Sequence, residues 1–476
     1  MIPHSSAYGR PRATVEKSLV IAGASAVALA VYCGAVFASG APRSAWIMPV
    51  ALVMAGALTV VAVTRFTLFL VIVLAIRSSL DAAKLADIGA TVDGGGGQPT
   101  ASSLFDPSSM LAVLFICAGL AWLVVQGRRP IEARPHPALP MAALTFFGAC
   151  LFSLLGSRAP AVSVGEVSRV AAFLVMIFVV ERLVAEDPGR RGPLLGAVFA
   201  SGVVPVLVTF YQVVTGNGLV DLDGLMRPVG TFWHPNALGE FCYTIMIMGV
   251  ALLWHVRGGA RVALFLLVAG LGAALVTTAA RGAWIAALVG VLVVGFLQDR
   301  RIILGAVAVV GGVVLAVPSV LARFSDLSQT YTAGGYEANS LVWRFDHWIE
   351  ATGLLPENPV TGVGLGTARL FLYKEVHNDY VRALVESGVV GLLAYLGLLA
   401  ALFIAARQAL RATARPPGLR VADPSRGIAV GFTGCVAAFA VSALADNIMT
   451  AVVVMWYLAV FAGLALRIGA PGKETQ

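Results

Sequence analysis

Charge is scarce in this chain. Asp, Glu, Lys and Arg together make up 12% of its 476 residues, where soluble domains carry about 25%. Hydrophobic residues reach 59%, and the mean hydropathy is +0.87. This balance excludes a soluble globular domain with a single anchor and leaves a polytopic membrane protein. Cysteine is also rare. Cys33, Cys117, Cys150, Cys242 and Cys435 all fall inside apolar runs, and no CxxC occurs. They read as small buried hydrophobes, with neither a disulfide nor a metal site. HExxH, GxSxG and the P-loop are missing, which removes the metalloprotease, hydrolase and NTPase chemistries those motifs serve. No internal repeat marks an inverted-repeat transporter.

What the chain has in abundance is long apolar runs. A membrane-spanning helix needs about 20 such residues. Fourteen candidate runs start near positions 18, 46, 66, 109, 138, 166, 193, 237, 261, 282, 301, 381, 428 and 449, the third being short. The expected fold class is therefore an all-α polytopic membrane protein of about 12–14 transmembrane helices. The first run, Ser18 to Ser39, follows a basic stretch (Arg10, Arg12, Lys17). It is long enough to span and reads as a span, not a cleavable signal.

Arginine placement sets the expected orientation. With the N-terminus inside, Lys and Arg concentrate in inner loops, and the segment 407–426 alone holds five arginines. The positive-inside rule then puts both termini in the cytoplasm and the loops 77–107, 215–236 and 318–380 on the outer face. The net charge of +8 is thus a mark of topology, and no nucleic-acid partner is expected. Three regions follow: an N-terminal bundle (1–317), an outer-face loop with short helices (318–380), and C-terminal helices with a cytoplasmic tail (381–476). The Gly94–Gly97 run reads as a flexible linker.

Three clusters gather on the outer side. Arg227-Pro-Val-Gly-Thr-Phe-Trp-His-Pro-Asn236 precedes a helix. It reads equally as a re-entry turn or as an anion site made by Arg227 and the helix amides. Arg281 lies between two apolar runs among small residues. A snorkelling arginine is the plain reading; a guanidinium facing a bulky headgroup is the functional one. The third cluster is the long loop. Ser340 to Leu355 has a helical apolar period with Arg344, Asp346, His347 and Glu350 between, and an interfacial helix is expected there. Gly362, Gly364 and Gly366 follow. No strand precedes them, so they suit close chain passage and not a dinucleotide. His377 then stands ahead of a helix capped by Asn378 or Asp379. It suits general-base work, and it keeps company with Arg227, Arg281, Arg344 and Arg369, which can grip a phosphate bidentately. Asp446-Asn447 reads as a turn between the last two helices.

In these residues the chain resembles the O-antigen ligase/polymerase superfamily of bacterial membrane proteins. The likeness is carried by Arg227-x-x-Gly-x-Phe232 with Asn236, Ala280-Arg281-Gly282, the Arg344/Trp348 helix, the Gly-x-Gly-x-Gly turn, His377-Asn378 and Glu386-x-Gly388. It implies a GT-C-like bundle in the bacterial inner membrane and a metal-independent glycosyltransferase without a cofactor. The implied donor is an undecaprenyl-pyrophosphate-linked glycan and the acceptor a hydroxyl of a glycan, lipid or protein. The resemblance makes His377 the base and Arg227 and Arg281 the pyrophosphate ligands. Arg344, Arg369 and Asn378 join the substrate-binding set by their position. Two other readings stay open. Asp221-x-Asp223 would serve a metal-dependent lipid-phosphate-sugar transferase, and a lipid-linked-glycan flippase would need charges along mid-membrane helices.

Overall fold

The computed structural model describes residues 44–81, 107–127, 137–222, 225–317, 340–372, 375–414 and 424–468. These form an all-α bundle with one small hairpin. The helices are α1 (Ser44–Thr64), α2 (Phe66–Leu80), α3 (Pro107–Gly127), α4 (Ala138–Phe152), α5 (Pro160–Glu186), α6 (Arg191–Ala200) and α7 (Val203–Thr215). After the strands β1 (Leu219–Leu222) and β2 (Leu225–Pro228) come α8 (Pro235–Leu252), α9 (Gly258–Thr277), α10 (Arg281–Gln298) and α11 (Arg300–Ala316). The rest are α12 (Ser340–Thr352), α13 (Ala368–Leu372), α14 (Asp379–Ala412), α15 (Pro424–Ser442) and α16 (Val452–Ala465). Each apolar run read from the sequence, apart from the first, which lies outside the described residues, coincides with a helix. Among the described residues eight helices are long and apolar enough to cross a membrane, and three further apolar helices are shorter. One of the shorter ones is α2, the run expected to be short. The chain is a polytopic α-helical membrane protein.

α8, α15 and α16 are buried along most of their length and pack against α5, α10 and α14. Small residues let these helices approach closely, as they do where lipid supplies no hydrophobic drive between helices. A Cβ added to Gly290 on α10 would sit 2.2 Å from Ile247 of α8 and 3.0 Å from the Gly434 carbonyl of α15. Cys242 and Cys435 are buried here and Cys150 on α4, as expected, but Cys117 is exposed on α3. An apolar run shows that a residue is in a span, not which side of the helix it occupies. Cys33 lies outside the described residues.

The glycine-rich turn is bonded to a break in α14. Val363 N donates to Val385 O at 3.0 Å, Gly364 N to Glu386 O at 2.9 Å, and Val389 N to Pro359 O at 2.9 Å. Gly388 has φ 67 and ψ −171, so the helix opens there and its backbone groups bond to the loop. The Glu386 carboxylate accepts from Gly366 N at 2.8 Å and Ala368 N at 3.3 Å. Arg382 pairs with Glu386 at 2.9 Å and Glu166 at 3.5 Å. Gly362 has φ 69, and a Cβ there would meet the Glu386 backbone carbon at 2.3 Å. Only glycine permits so close a passage.

The helix expected in the long loop is α12. Trp348 and Ala351 pack on Val363, Leu372, Val376 and Val385 in a small core of their own. Leu341, Phe345 and Ile349, four residues apart, are exposed on the other face. Trp348 Nε1 donates to Val376 O at 2.9 Å, which fixes α12 over the segment leading to His377.

Candidate functional site

α8, α10 and α14 begin at the same end of the bundle, beside the connection that joins α15 to α16. Asn378 is the N-cap of α14. Its Oδ1 accepts from Tyr380 N at 2.9 Å and Val381 N at 3.1 Å. Its Nδ2 donates to Leu444 O at 3.2 Å and its backbone N to Asn447 Oδ1 at 3.2 Å. Asp379 N donates to Ala443 O at 2.8 Å. The start of α14 is therefore fastened to residues 443–447, which sets His377 over Asp446. His377 has φ 52. Left-handed backbone in a non-glycine residue costs about 1–2 kcal/mol and is held here by the bonds on either side.

A chain of side-chain bonds starts at His377. Its Nδ1 lies 3.1 Å from Asp446 Oδ1. Asp446 Oδ2 accepts from Asn236 Nδ2 at 2.6 Å. Asn236 Oδ1 accepts from an Arg227 terminal nitrogen at 3.1 Å, and Arg227 Nε donates to Thr278 O at 2.6 Å. The hairpin delivers Arg227, which pairs with Val220 in the register. The first turn of α8 delivers Asn236. His234, the N-cap of α8, accepts from Asn236 N through Nδ1 at 3.1 Å. Arg281 opens α10, and the next residue, Gly282, abuts Ala445, with 3.5 Å between an added Cβ and the alanine methyl. Arg281 thus stands at the edge of the same cluster.

The electrostatics assign the protons. Burial alone would push the Asp446 carboxyl up, but the hydrogen bond and charge of His377, together with Arg344 and His234, outweigh it. Asp446 is held well below the ordinary carboxylate range and is an acceptor only. Nδ1 of His377 therefore carries the hydrogen, and Nε2 is left as the basic nitrogen. Burial lowers His234 to about 4 against the pull of Asp446, so this second imidazole is neutral, in keeping with its accepting Nδ1. Burial also lowers Arg344, opposed by Asp446, which brings that guanidinium into the same field from α12.

The structure thus brings His377, Arg344 and, through Asn236, Arg227 to Asp446, while Arg281 begins α10 next to Gly282, which abuts the neighbouring Ala445. Asn378 stands next to them, but its side chain is engaged in capping, so it positions His377. Arg369 is placed otherwise: on α13, it meets Glu375 at 3.5 Å, and Glu375 in turn accepts from Asn447 at 3.2 Å. Asp221 is exposed on β1, and Asp223 lies outside the described residues. Among the described residues no group of three His, Cys, Asp or Glu side chains can hold a metal ion. Asp446 forms the turn expected of it, but it is also the hub of the cluster. One signal marked it: between Arg426 and Arg467 it is the single charged residue, and an ionisable group inside such an apolar stretch is a functional candidate.

At this end of the bundle an imidazole–carboxylate pair stands beside guanidinium groups. Residues 262–396, from α9 into α14, match the family model described as O-Antigen ligase. That segment, less than a third of the chain, is therefore similar to the O-antigen ligase family. It contains Arg281, Arg344 and His377, while Arg227, Asn236 and Asp446 lie outside it. No curated protein matches the chain.

Proposed function

We propose that the protein transfers a glycan from undecaprenyl pyrophosphate, or a closely similar polyprenyl pyrophosphate, to an acceptor hydroxyl. The site faces the outer side of a bacterial inner membrane, with both termini in the cytoplasm. The observation that carries the reading is the 3.1 Å contact between His377 Nδ1 and Asp446 Oδ1, which directs Nε2 to the work of the base. Nε2 takes the proton of the acceptor hydroxyl. The oxygen attacks the anomeric carbon, and the bond from that carbon to the pyrophosphate oxygen breaks with its electron pair on the pyrophosphate. Arg227, Arg281 and Arg344 stabilise that charge as preplaced donors. Asn236 and Asp446 tie the base to one of these arginines, so both ends of the reaction share one rigid frame. Asn378 sets the base in place, and Arg369 supports the loop through Glu375.

The test is a reconstituted assay of purified protein with undecaprenyl-pyrophosphate glycan, comparing wild type with His377→Ala, with and without chelator. Transfer that survives the chelator and disappears in His377→Ala supports the proposal, and product length separates a polymerase from a ligase. Transfer untouched by His377→Ala overturns it. Chelator-sensitive transfer would turn attention to Asp221 and Asp223, and movement of the lipid-linked glycan without bond formation to a flippase.

A further inference from the structure

Two shielded polar atoms on α12, one of them on the guanidinium already assigned to the pyrophosphate, are left over from the contacts above. His347 is 5% exposed, and its Nε2 meets no hydrogen-bond partner among the described residues. The same holds for Nε of Arg344, one turn away. Buried polar groups are almost always paired, and an orphan needs an explanation. His347 is otherwise well fixed, with Nδ1 at 3.3 Å from Glu350 Oε2. Trp343 stacks on the His347 ring, with 4.9 Å between centroids and 19° between planes. The same indole meets His377 edge-on, at 5.7 Å and 70°, and it is half-buried. A rigid indole beside the base therefore stands next to polar atoms in need of partners.

We propose that α12 carries a sugar-binding subsite beside His377, in which Trp343 contacts the C–H surface of a pyranose ring while His347 Nε2 and Arg344 Nε bond its hydroxyls. A pyranose has this dual character: apolar C–H faces and a rim of hydroxyls. An amphipathic aromatic with polar neighbours is its complement. The spacing is the one a helix imposes, since Trp343 and His347 are neighbours four residues apart and His347 and Arg344 three apart. The proposal rests on the transfer reading and deepens it. Two rings pass His377 in that reaction, one from the acceptor and one from the donor, and both have this chemistry.

The experiment varies each substrate in turn with wild type, Trp343→Leu, Trp343→Phe and His347→Ala in proteoliposomes. Trp343→Leu should raise KM for one glycan roughly tenfold with kcat nearly unchanged, and Trp343→Phe should recover most of the loss. The substrate whose KM rises identifies the ring that binds. If Trp343→Leu does not give a folded protein, His347→Ala should show the same rise in KM. A folded Trp343→Leu protein with both KM values at wild-type levels overturns the subsite while leaving the transfer reading standing. If wild type shows no transfer, the transfer reading fails by itself. Saturation-transfer NMR with the free repeat-unit oligosaccharide then decides the subsite: signal lost in Trp343→Leu supports it, and equal signal overturns it.

Discussion

Replacing Asp446 by Asn tests the site at its hub. The side chain keeps its shape, but one oxygen becomes an NH2 group. In wild type Oδ1 accepts from His377 at 3.1 Å and Oδ2 from Asn236 at 2.6 Å. The amide has two orientations, and neither reproduces that pattern. With its NH2 toward His377, the imidazole must accept at Nδ1, so the hydrogen moves to Nε2 and the basic nitrogen is lost. With its NH2 toward Asn236, two donors face each other. Asn236 must then turn over, and that breaks its bond from Arg227. One orientation disables the base, and the other loosens the arginine. General-base catalysis contributes about 10²–10⁴-fold, so Asp446→Asn should lower kcat on the order of 10³-fold without loss of folded protein. In the double variant with His377→Ala the two effects should not add, because the residues act as a unit. The assay is single-turnover glycan transfer in proteoliposomes. An Asp446→Asn protein within threefold of wild type, or two single losses that multiply in the double variant, would mean that Asp446 and His377 do not work as a pair.

Three more outcomes follow from the same geometry. Arg227→Lys keeps the charge but not the planar fork that reaches both Thr278 O and Asn236; turnover should fall about tenfold or more, as measured by kcat/KM for the donor. Gly362→Ala introduces a Cβ 2.3 Å from the Glu386 backbone at φ 69. Such a residue costs about 1–3 kcal/mol for its backbone before any clash, so the melting temperature in detergent should drop, with His377 itself unaltered. Stability should also depend on pH through His234, whose pKa lies near 4 in the fold against about 6.5 unfolded. The unfolded chain binds the proton first, so stability is complete above about pH 6.5 and is lost as the pH falls toward 4, by at most about 3 kcal/mol. His234→Gln should flatten that part of a melting-temperature profile.

Hydropathy made most of the fold legible, because a helix is the structure that satisfies its own backbone inside lipid. Thirteen of the fourteen expected spans coincide with helices, and the remaining one lies outside the described residues. Hydropathy could not show which face of a helix is covered, as the exposure of Cys117 illustrates. It could not show the break at Gly388 either, since that depends on a loop arriving from Pro359 to Gly364 to bond the opened backbone. Within the site, His377, Arg227 and Arg281 were visible because charge at helix ends is conspicuous in so apolar a chain. The bond between His377 and Asp446 joins residues 69 apart in sequence. No local pattern encodes that pairing. It follows from Asn378 and Asp379 fastening the start of α14 to the 443–447 turn.

The arrangement of helix ends argues for an anionic substrate independently of the arginines. His234 caps the start of α8, Ala280 that of α10 and Asn378 that of α14, and all three starts border the Asp446 turn. A helix start carries roughly half a positive charge, because its first amides lack partners within the helix. A cation drawn to Asp446 would meet these three helix starts as well as Arg227, Arg281 and Arg344. Asp446 itself is already engaged, by His377 and Asn236. A pyrophosphate meets the opposite situation, since each added negative charge on the leaving group lies against groups of opposite sign that need not move. Such preorganisation favours the state in which charge has developed over the one in which it has not. A carrier or flippase gains nothing from it, because it never forms the departing pyrophosphate. Under the proposed transfer, a pyrophosphate product should therefore compete with the donor more strongly than a neutral polyprenol does.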